Sequence, residues 1–359
     1  MQLVFADRFS PGVAREVDGD GFRYLSPRGR PIKDPRTLKR IAALAVPPAW
    51  VNVWIAPNAA AHIQATGYDA KGRLQYRYHP EFRQTQEATK FSRLLAFVQA
   101  LPKLRAAVAR DMRLPGIPRE RALATLVYLL EATLIRIGNA AYARANDSYG
   151  LSTLKPDHVV VEGTTLTFEF TGKSGKTWRV AIRDRRAAAV MRACQELPGQ
   201  SLFAYRDEAG QRHGVSSADV NAYLRLAAGR RVSAKDFRTW GGTLLCAVAL
   251  GRAPPAESAR ALKRQIAEAM RETASALGNT PAVCRASYVH PGVLDAHGSG
   301  ELYRAMALAA AREAARDALK PEERTVLKLL RRLERARAAA RKAQAAAVAF
   351  SSAALAPSL

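Results

Sequence analysis

Cysteine is scarce in this chain of 359 residues. Only Cys194, Cys246 and Cys284 occur, with no CxxC pair, which argues against a disulfide scaffold or a structural zinc site and fits a reducing compartment. No window approaches the roughly 18 unbroken apolar residues of a membrane span. The opening stretch MQLVFADRFSPG has no basic segment followed by an apolar run, so no secretion signal is read there and a cytoplasmic protein is expected. A glycine-rich phosphate loop and a carboxylate–histidine cluster are both missing, so neither nucleotide nor metal is expected as a cofactor. Acidic residues are few as well, 31 against 56 Lys plus Arg, which leaves a formal net charge of +25. That excess points to a polyanionic partner without saying which one.

What is present suffices for a large core, since 48% of the residues are hydrophobic. Residues 1–85 are rich in Pro, Gly and aromatics. Runs such as Val51–Ile55 and Leu74–Tyr78, flanked by the turn signals Pro47-Pro48 and Lys71-Gly72, predict a small β-rich domain with one short helix around Asp34 to Leu44. Residues 86–340 read as a larger, mainly helical domain. Leu123, Leu126, Val127, Leu130, Leu134 and Ile137 form one apolar stripe at helical spacing. Between 158 and 182 the period drops to two, which predicts three strands, His158–Glu162, Thr165–Thr171 and Thr177–Ile182, joined at Gly163-Thr164 and Gly172-Lys173-Ser174-Gly175. Near the end, Val326, Leu330 and Leu333 suggest a packed helix. The stretch Lys328–Lys342 holds seven basic residues and one acidic one, Glu334, which suits either a solvated face or a DNA-contacting extension. A flexible tail is expected over 341–359. The fold class is thus α+β.

Five residues could carry chemistry, and each also has a plain structural reading. Arg136 is placed near the end of a helix that Gly138 can terminate, where an arginine complements the macrodipole. Lys173 sits at a hairpin tip, either solvated or projected into a groove. Arg238 falls in the second turn of a helix opened by a Ser233–Asp236 capping box, between Phe237 and Trp240, where a cation–π contact is the plain reading. Thr280-Pro281 opens a short helix that Pro291 stops, with Asn279 before it and Tyr288 about two turns in. A tyrosine with a pKa near 10 needs neighbouring cations to act as a nucleophile.

Taken in order, these segments resemble the type IB DNA topoisomerases, in particular their compact poxvirus-like and bacterial branch. The likeness spans roughly residues 20–335. It rests on Asp69 to His79, on Ile135-Arg136-Ile137-Gly138 with Tyr142 and Gly150 to Lys155, on Gly172-Lys173, on Lys235 to Thr239, and on Gly278 to Tyr288. Asn279 stands where many members have histidine; asparagine can donate a hydrogen bond but carries no charge. The resemblance implies a catalytic domain of the tyrosine recombinase/type IB kind, with a three-stranded β-hairpin element, closing with the N-terminal domain around duplex DNA as a clamp. It implies a monomer, associated with the nucleoid, acting without membrane, metal or ATP. Tyr288 would be the nucleophile and Arg136, Arg238 and Asn279 the phosphate donors, with Lys173 the general acid. Lys71, Arg73, Gln75, Tyr76, Tyr78, Tyr142 and Lys235 would contact DNA, with Gln75, Tyr76 and Tyr78 facing the major groove. A tyrosine recombinase is the nearest alternative, disfavoured by Lys235-Asp236-Phe237 where recombinases carry a histidine before the second arginine. A non-catalytic basic architectural protein would explain the charge but not the ordered motifs.

Overall fold

The computed structural model describes residues 2–310 and 319–354, with the side chains of 84, 87–89, 92, 309, 310, 341, 342 and 344–354 left aside. The chain divides into two compact units, Met1–Ser92 and Arg93–Leu359.

The first unit is an antiparallel five-stranded sheet in the order β2-β1-β3-β4-β5, built from β1 (Val13–Asp18), β2 (Gly21–Leu25), β3 (Val51–Ile55), β4 (Ile63–Tyr68) and β5 (Leu74–Tyr78). Helix α1 (Pro35–Ala43) starts where the chemistry of its first residues asks it to. The Asp34 carboxylate accepts from the Thr37 amide at 2.8 Å and the Thr37 hydroxyl at 2.6 Å, and Pro35 opens the helix. Ile41 then joins Val13, Val53, Ile55 and Ala65 in the unit's core, with Trp50 packed beside them. Strands β3 and β5 lie where the alternating pattern predicts them. Strands β1, β2 and β4 carry weaker alternation and were not anticipated.

A long helix, α2 (Pro80–Asp111), runs from the first unit into the second. The second unit is organised around α3 (Arg119–Thr133), whose Leu123, Leu126, Val127 and Leu130 are all buried, and α7 (Ala234–Arg252). Between them in sequence come α4 (Ala140–Asn146), the strands β6 (Val159–Glu162), β7 (Thr165–Thr171) and β8 (Thr177–Arg183), α5 (Arg185–Gln195), the small hairpin β9 (Ala204–Arg206) and β10 (Arg212–Gly214), and α6 (Ser217–Ala228). The three predicted strands form one antiparallel sheet, β6-β7-β8, with β7 and β8 in unbroken register from Thr165↔Arg183 to Thr171↔Thr177. After α7 follow α8 (Ala259–Leu277), α9 (Pro281–Ser287), α10 (Pro291–Gly298), α11 (Glu301–Ala310) and α12 (Pro321–Ala354). Helix α7 packs against α3, α8, α10, α11 and α12.

Helix α12 is tied down at its start by charge as well as by the buried Val326 and Leu330. Arg105 of α2 bonds both oxygens of Glu323 at 2.7 and 2.9 Å and reaches Glu131 of α3. The Lys320 amide and the Trp240 indole also donate to Glu323, at 2.9 and 3.3 Å. Each oxygen of this buried carboxylate is therefore satisfied, the condition under which a buried ion pair is tolerated. Farther along, Arg337 pairs with Asp295 of α10. The backbone is helical to Ala354, and of the tail expected to be flexible, 355–359 lie outside the described residues.

One local expectation fails. The helix expected to carry Arg136 stops earlier, at Thr133, because Leu134 takes a left-handed conformation (φ 54°). Residues 134–139 form no regular element, with Gly138 also at positive φ (91°), and Ile137 is not part of the helical stripe. The reason is non-local: the amides of Leu151 and Ser152 donate to the carbonyls of Arg136 and Ile137 at 2.8 and 2.7 Å, offering the backbone partners a helix would otherwise supply. The two segments cross at glycines. A Cβ on Gly150 would stand 2.5 Å from the Arg136 carbonyl oxygen.

Candidate active site

Four of the five candidate catalytic side chains, Arg136, Lys173, Arg238 and Tyr288, line one cleft of about 460 Å³ in the second unit. Each comes from a different element. Arg136 lies on the irregular segment after α3, and Lys173 on the turn joining β7 to β8. Arg238 stands in the second turn of α7, whose start is fixed as expected: the Asp236 carboxylate accepts from the Ser233 amide at 2.7 Å and its hydroxyl at 3.0 Å. Tyr288 caps the C-terminus of α9, with its amide donating to the Cys284 carbonyl at 2.9 Å. It therefore sits just past the helix rather than within it, and Pro291 begins α10 rather than merely stopping α9.

Arg238 is 4% exposed, and its surroundings differ from the expected pair of aromatic neighbours. Its guanidinium donates to the backbone carbonyls of Leu134 and Leu277, the latter at 2.7 Å, and lies over the Tyr288 ring at 5.1 Å. Phe237 instead packs edge-on against Phe97, and Trp240 turns to Glu323. Helical geometry is the reason: residues adjacent in a helix point about 100° apart, so sequence neighbours do not share a face. Burial lowers the Arg238 pKa, and the nearby Arg136 lowers it further.

Burial by itself would raise the pKa of the half-buried Tyr288 phenol. The charge and hydrogen bonding of Arg238, with Arg136 and Lys235 farther off, outweigh that, so its pKa lies below the ordinary tyrosine value. The cations of the site thus make the Tyr288 phenol easier to ionise than burial alone would allow.

Asn279 follows the left-handed Gly278 that caps α8. Its side-chain oxygen accepts from Arg136 at 2.6 Å, and its amide nitrogen donates to the Leu277 carbonyl at 3.3 Å. In this arrangement Asn279 grips Arg136, where a donor to phosphate was expected. Lys176, from the same turn as Lys173, donates to the Asn279 carbonyl at 3.2 Å.

Tyr142 and Lys235, expected at the DNA, line the same cleft. Ser148 and Tyr149 line it too and were not foreseen. The signal available for Tyr149 was its place directly before the Gly150-Leu151 segment that crosses Arg136.

The other five candidates lie in the first unit. Tyr76 and Tyr78 are exposed and stack in parallel at 5.7 Å on one face of β5. Gln75 points to the opposite face, as strand alternation requires, and donates to Asp69 at 2.9 Å. Lys71 is exposed on the β4–β5 turn, and Arg73 pairs there with Asp69 at 2.7 Å, holding that carboxyl down to about 2.

Among the described residues no helix is long and apolar enough to cross a membrane. A family model described as the catalytic core of eukaryotic DNA topoisomerase I matches residues 79–300, and one described as the N-terminal domain of bacterial DNA topoisomerase IB matches residues 21–69. The chain is 36% identical to DNA topoisomerase 1B of Acanthamoeba polyphaga mimivirus, over 77% of this chain and 85% of the relative. It is 24% identical to DNA topoisomerase 1 of rabbit fibroma virus (64% and 70% covered). With DNA topoisomerase 1B of vaccinia virus, strain Copenhagen, the identity is 22% (66% and 73% covered).

Proposed function

The chain belongs to the type IB DNA topoisomerases, and on that premise we propose that it relaxes positive and negative supercoils by cutting and resealing one strand of duplex DNA through Tyr288. The observation that carries the reading is the cleft itself: a phenol with its pKa below the ordinary value, two arginines and two lysines around one volume.

In this reading the Tyr288 phenol gives its proton to solvent, and the phenolate oxygen attacks a backbone phosphorus in line with the 5′ oxygen. The O–P bond to tyrosine forms, the P–O5′ bond breaks, and a 3′-phosphotyrosine is left beside a free 5′-hydroxyl. Charge gathers on the non-bridging oxygens in the transition state. Arg136 and Arg238 supply planar, pre-placed donors for it. Arg238 is held by two backbone carbonyls and Arg136 by Asn279, so neither has to be ordered at the moment of reaction. Asn279 then serves by orienting Arg136. Lys173 protonates the departing 5′ oxygen and takes the proton back on resealing. The bond energy stays in the phosphodiester, so resealing needs no ATP, and no step above calls on a metal. While the strand is open its free end rotates about the intact one. The catalytic unit would share the arrangement of the tyrosine recombinases, and Tyr76, Tyr78, Lys71, Tyr142 and Lys235 would contact the duplex.

The test is plasmid relaxation in EDTA without nucleotide, paired with denaturing gels of the covalent adduct. The parent protein is expected to relax both signs of supercoil, and Tyr288→Phe to bind duplex DNA and form no adduct. Strict dependence on a divalent ion or ATP, or an adduct with Tyr288→Phe, would refute the proposal.

A further inference from the structure

Lys173 is exposed at the end of a two-stranded projection, so β7 and β8 alone do not fix where its ammonium points. Trp178 is the fifth residue after it, 6% exposed, paired across the strands with Phe170 and stacked on that ring at 6.2 Å with the planes 3° apart. Its indole fills a narrow place. A Cβ on Gly172 would come within 2.5 Å of the ring, and so would one on Gly278. Gly172 immediately precedes Lys173 and Gly278 immediately precedes Asn279. Gly172 has φ −96°, a conformation open to any residue, so it is the indole rather than the backbone that excludes a side chain there. A second contact joins the same two segments, from the Lys176 ammonium to the Asn279 carbonyl at 3.2 Å. Asn279 in turn holds Arg136.

We propose that Trp178, with Lys176, is a clasp that seats the Lys173 turn on the Asn279 segment, making Trp178 a positioning residue for proton transfer to the leaving 5′ oxygen. The proposal rests on the reading of Lys173 as general acid. Its chemical consequence is specific. When the P–O5′ bond breaks, the Lys173 ammonium must give its proton to that oxygen. Loosening the clasp removes the proton donor while leaving Tyr288 and Arg238, which the clasp does not hold, in place. A sulfur in the bridging 5′ position leaves as a thiolate and needs no proton, so it should hide the loss.

The experiment measures single-turnover cleavage of one duplex carrying either oxygen or sulfur at the scissile 5′ bridge. It uses the parent, Lys173→Ala, Arg238→Ala, Trp178→Ala, Trp178→Phe, Gly172→Ala and Lys176→Gln proteins. The ratio of the sulfur rate to the oxygen rate does not depend on what fraction of a variant is folded, so poor folding cannot imitate the effect. Lys173→Ala is expected to raise that ratio by about 10²-fold or more, the range of general acid catalysis, and Trp178→Ala and Gly172→Ala by about tenfold. Trp178→Phe and Lys176→Gln should rise less, and Arg238→Ala should stay near the parent. Should Trp178→Ala and Gly172→Ala slow both substrates alike, or neither, the clasp is overturned while Lys173 stands. If Lys173→Ala itself gains nothing from sulfur, its role as acid and the clasp fall together. A parent protein that forms no adduct on either substrate removes the proposed function.

Discussion

Gly242 of α7 packs closely against Tyr288, the proposed nucleophile. A methyl group there would lie 2.9 Å from Leu277 Cδ1, 3.0 Å from Tyr288 Cβ and 3.3 Å from the Tyr288 carbonyl oxygen. Relaxed carbon–carbon contacts fall at about 3.5–4.0 Å, so Gly242→Ala must push Tyr288 back by roughly 0.5–1 Å. Leu277 is fully buried and gives little room. The effect on stability is small because two terms oppose. Replacing a mid-helix glycine by alanine gains about 1 kcal/mol, and overpacking costs about 1–3 kcal/mol. The net loss is at most about 2 kcal/mol, which a domain with ordinary stability survives. Catalysis is far less tolerant, since a misplacement near 1 Å can cost about 10²-fold. Gly242→Ala is therefore expected to keep its duplex affinity and fold while single-turnover cleavage falls by about 10- to 100-fold. Fluorescence anisotropy, thermal melting and cleavage on one preparation separate these quantities. An unchanged cleavage rate would show that close packing at Gly242 does not set the position of Tyr288. Equal loss of binding, folding and cleavage would show a collapse of the unit rather than a displaced nucleophile.

Because cations hold the Tyr288 pKa below its ordinary value, the cleavage rate should climb with pH and level off below pH 10. Arg238→Gln should cut the rate by about 10²–10³-fold and move that limb to higher pH; a limb that stays put would mean Arg238 does not tune the phenol. For Glu323, burial pushes the pKa up, but bonding to Arg105 prevails and leaves it below the usual 4.5. Its stabilisation is thus complete above about pH 4.5 and lost as pH falls through the lower folded value. Glu323→Gln should cost about 3 kcal/mol at pH 7, the low end for a broken buried pair since Arg105 keeps Glu131, and should flatten the acid limb of the melting curve. A melting temperature unchanged at both pH values would remove Glu323 from the docking of α12. Duplex affinity should fall steeply with salt, with a log–log slope of roughly −5 for about six phosphate contacts. A slope near zero would assign the excess of positive charge to some other use.

Much of this molecule is written locally. Strands β6, β7 and β8 follow from alternation and from glycines at the turns. Helix α1 follows from Asp34 and Pro35, and the entry to α7 from Ser233 and Asp236, because caps and turns are interactions within a few residues. The identity of the candidate site residues was also legible, since their order along the chain resembles a known family. Their surroundings were not. The segment of Arg136 leaves the helix because the backbone at Leu151 and Ser152, fifteen residues on, supplies its hydrogen bonds. Gln75 was grouped with Tyr76 and Tyr78, but pleating sends it to the other face. Arg238 meets Tyr288 rather than Phe237 and Trp240, because fifty residues of chain return α9 to its side. The indole between Gly172 and Gly278 joins positions a hundred residues apart. Local energies choose each element, but the Tyr288 pKa falls below its ordinary value only because separate elements bring cations to it. That convergence depends on how buried faces fit together, which no stretch of sequence holds alone.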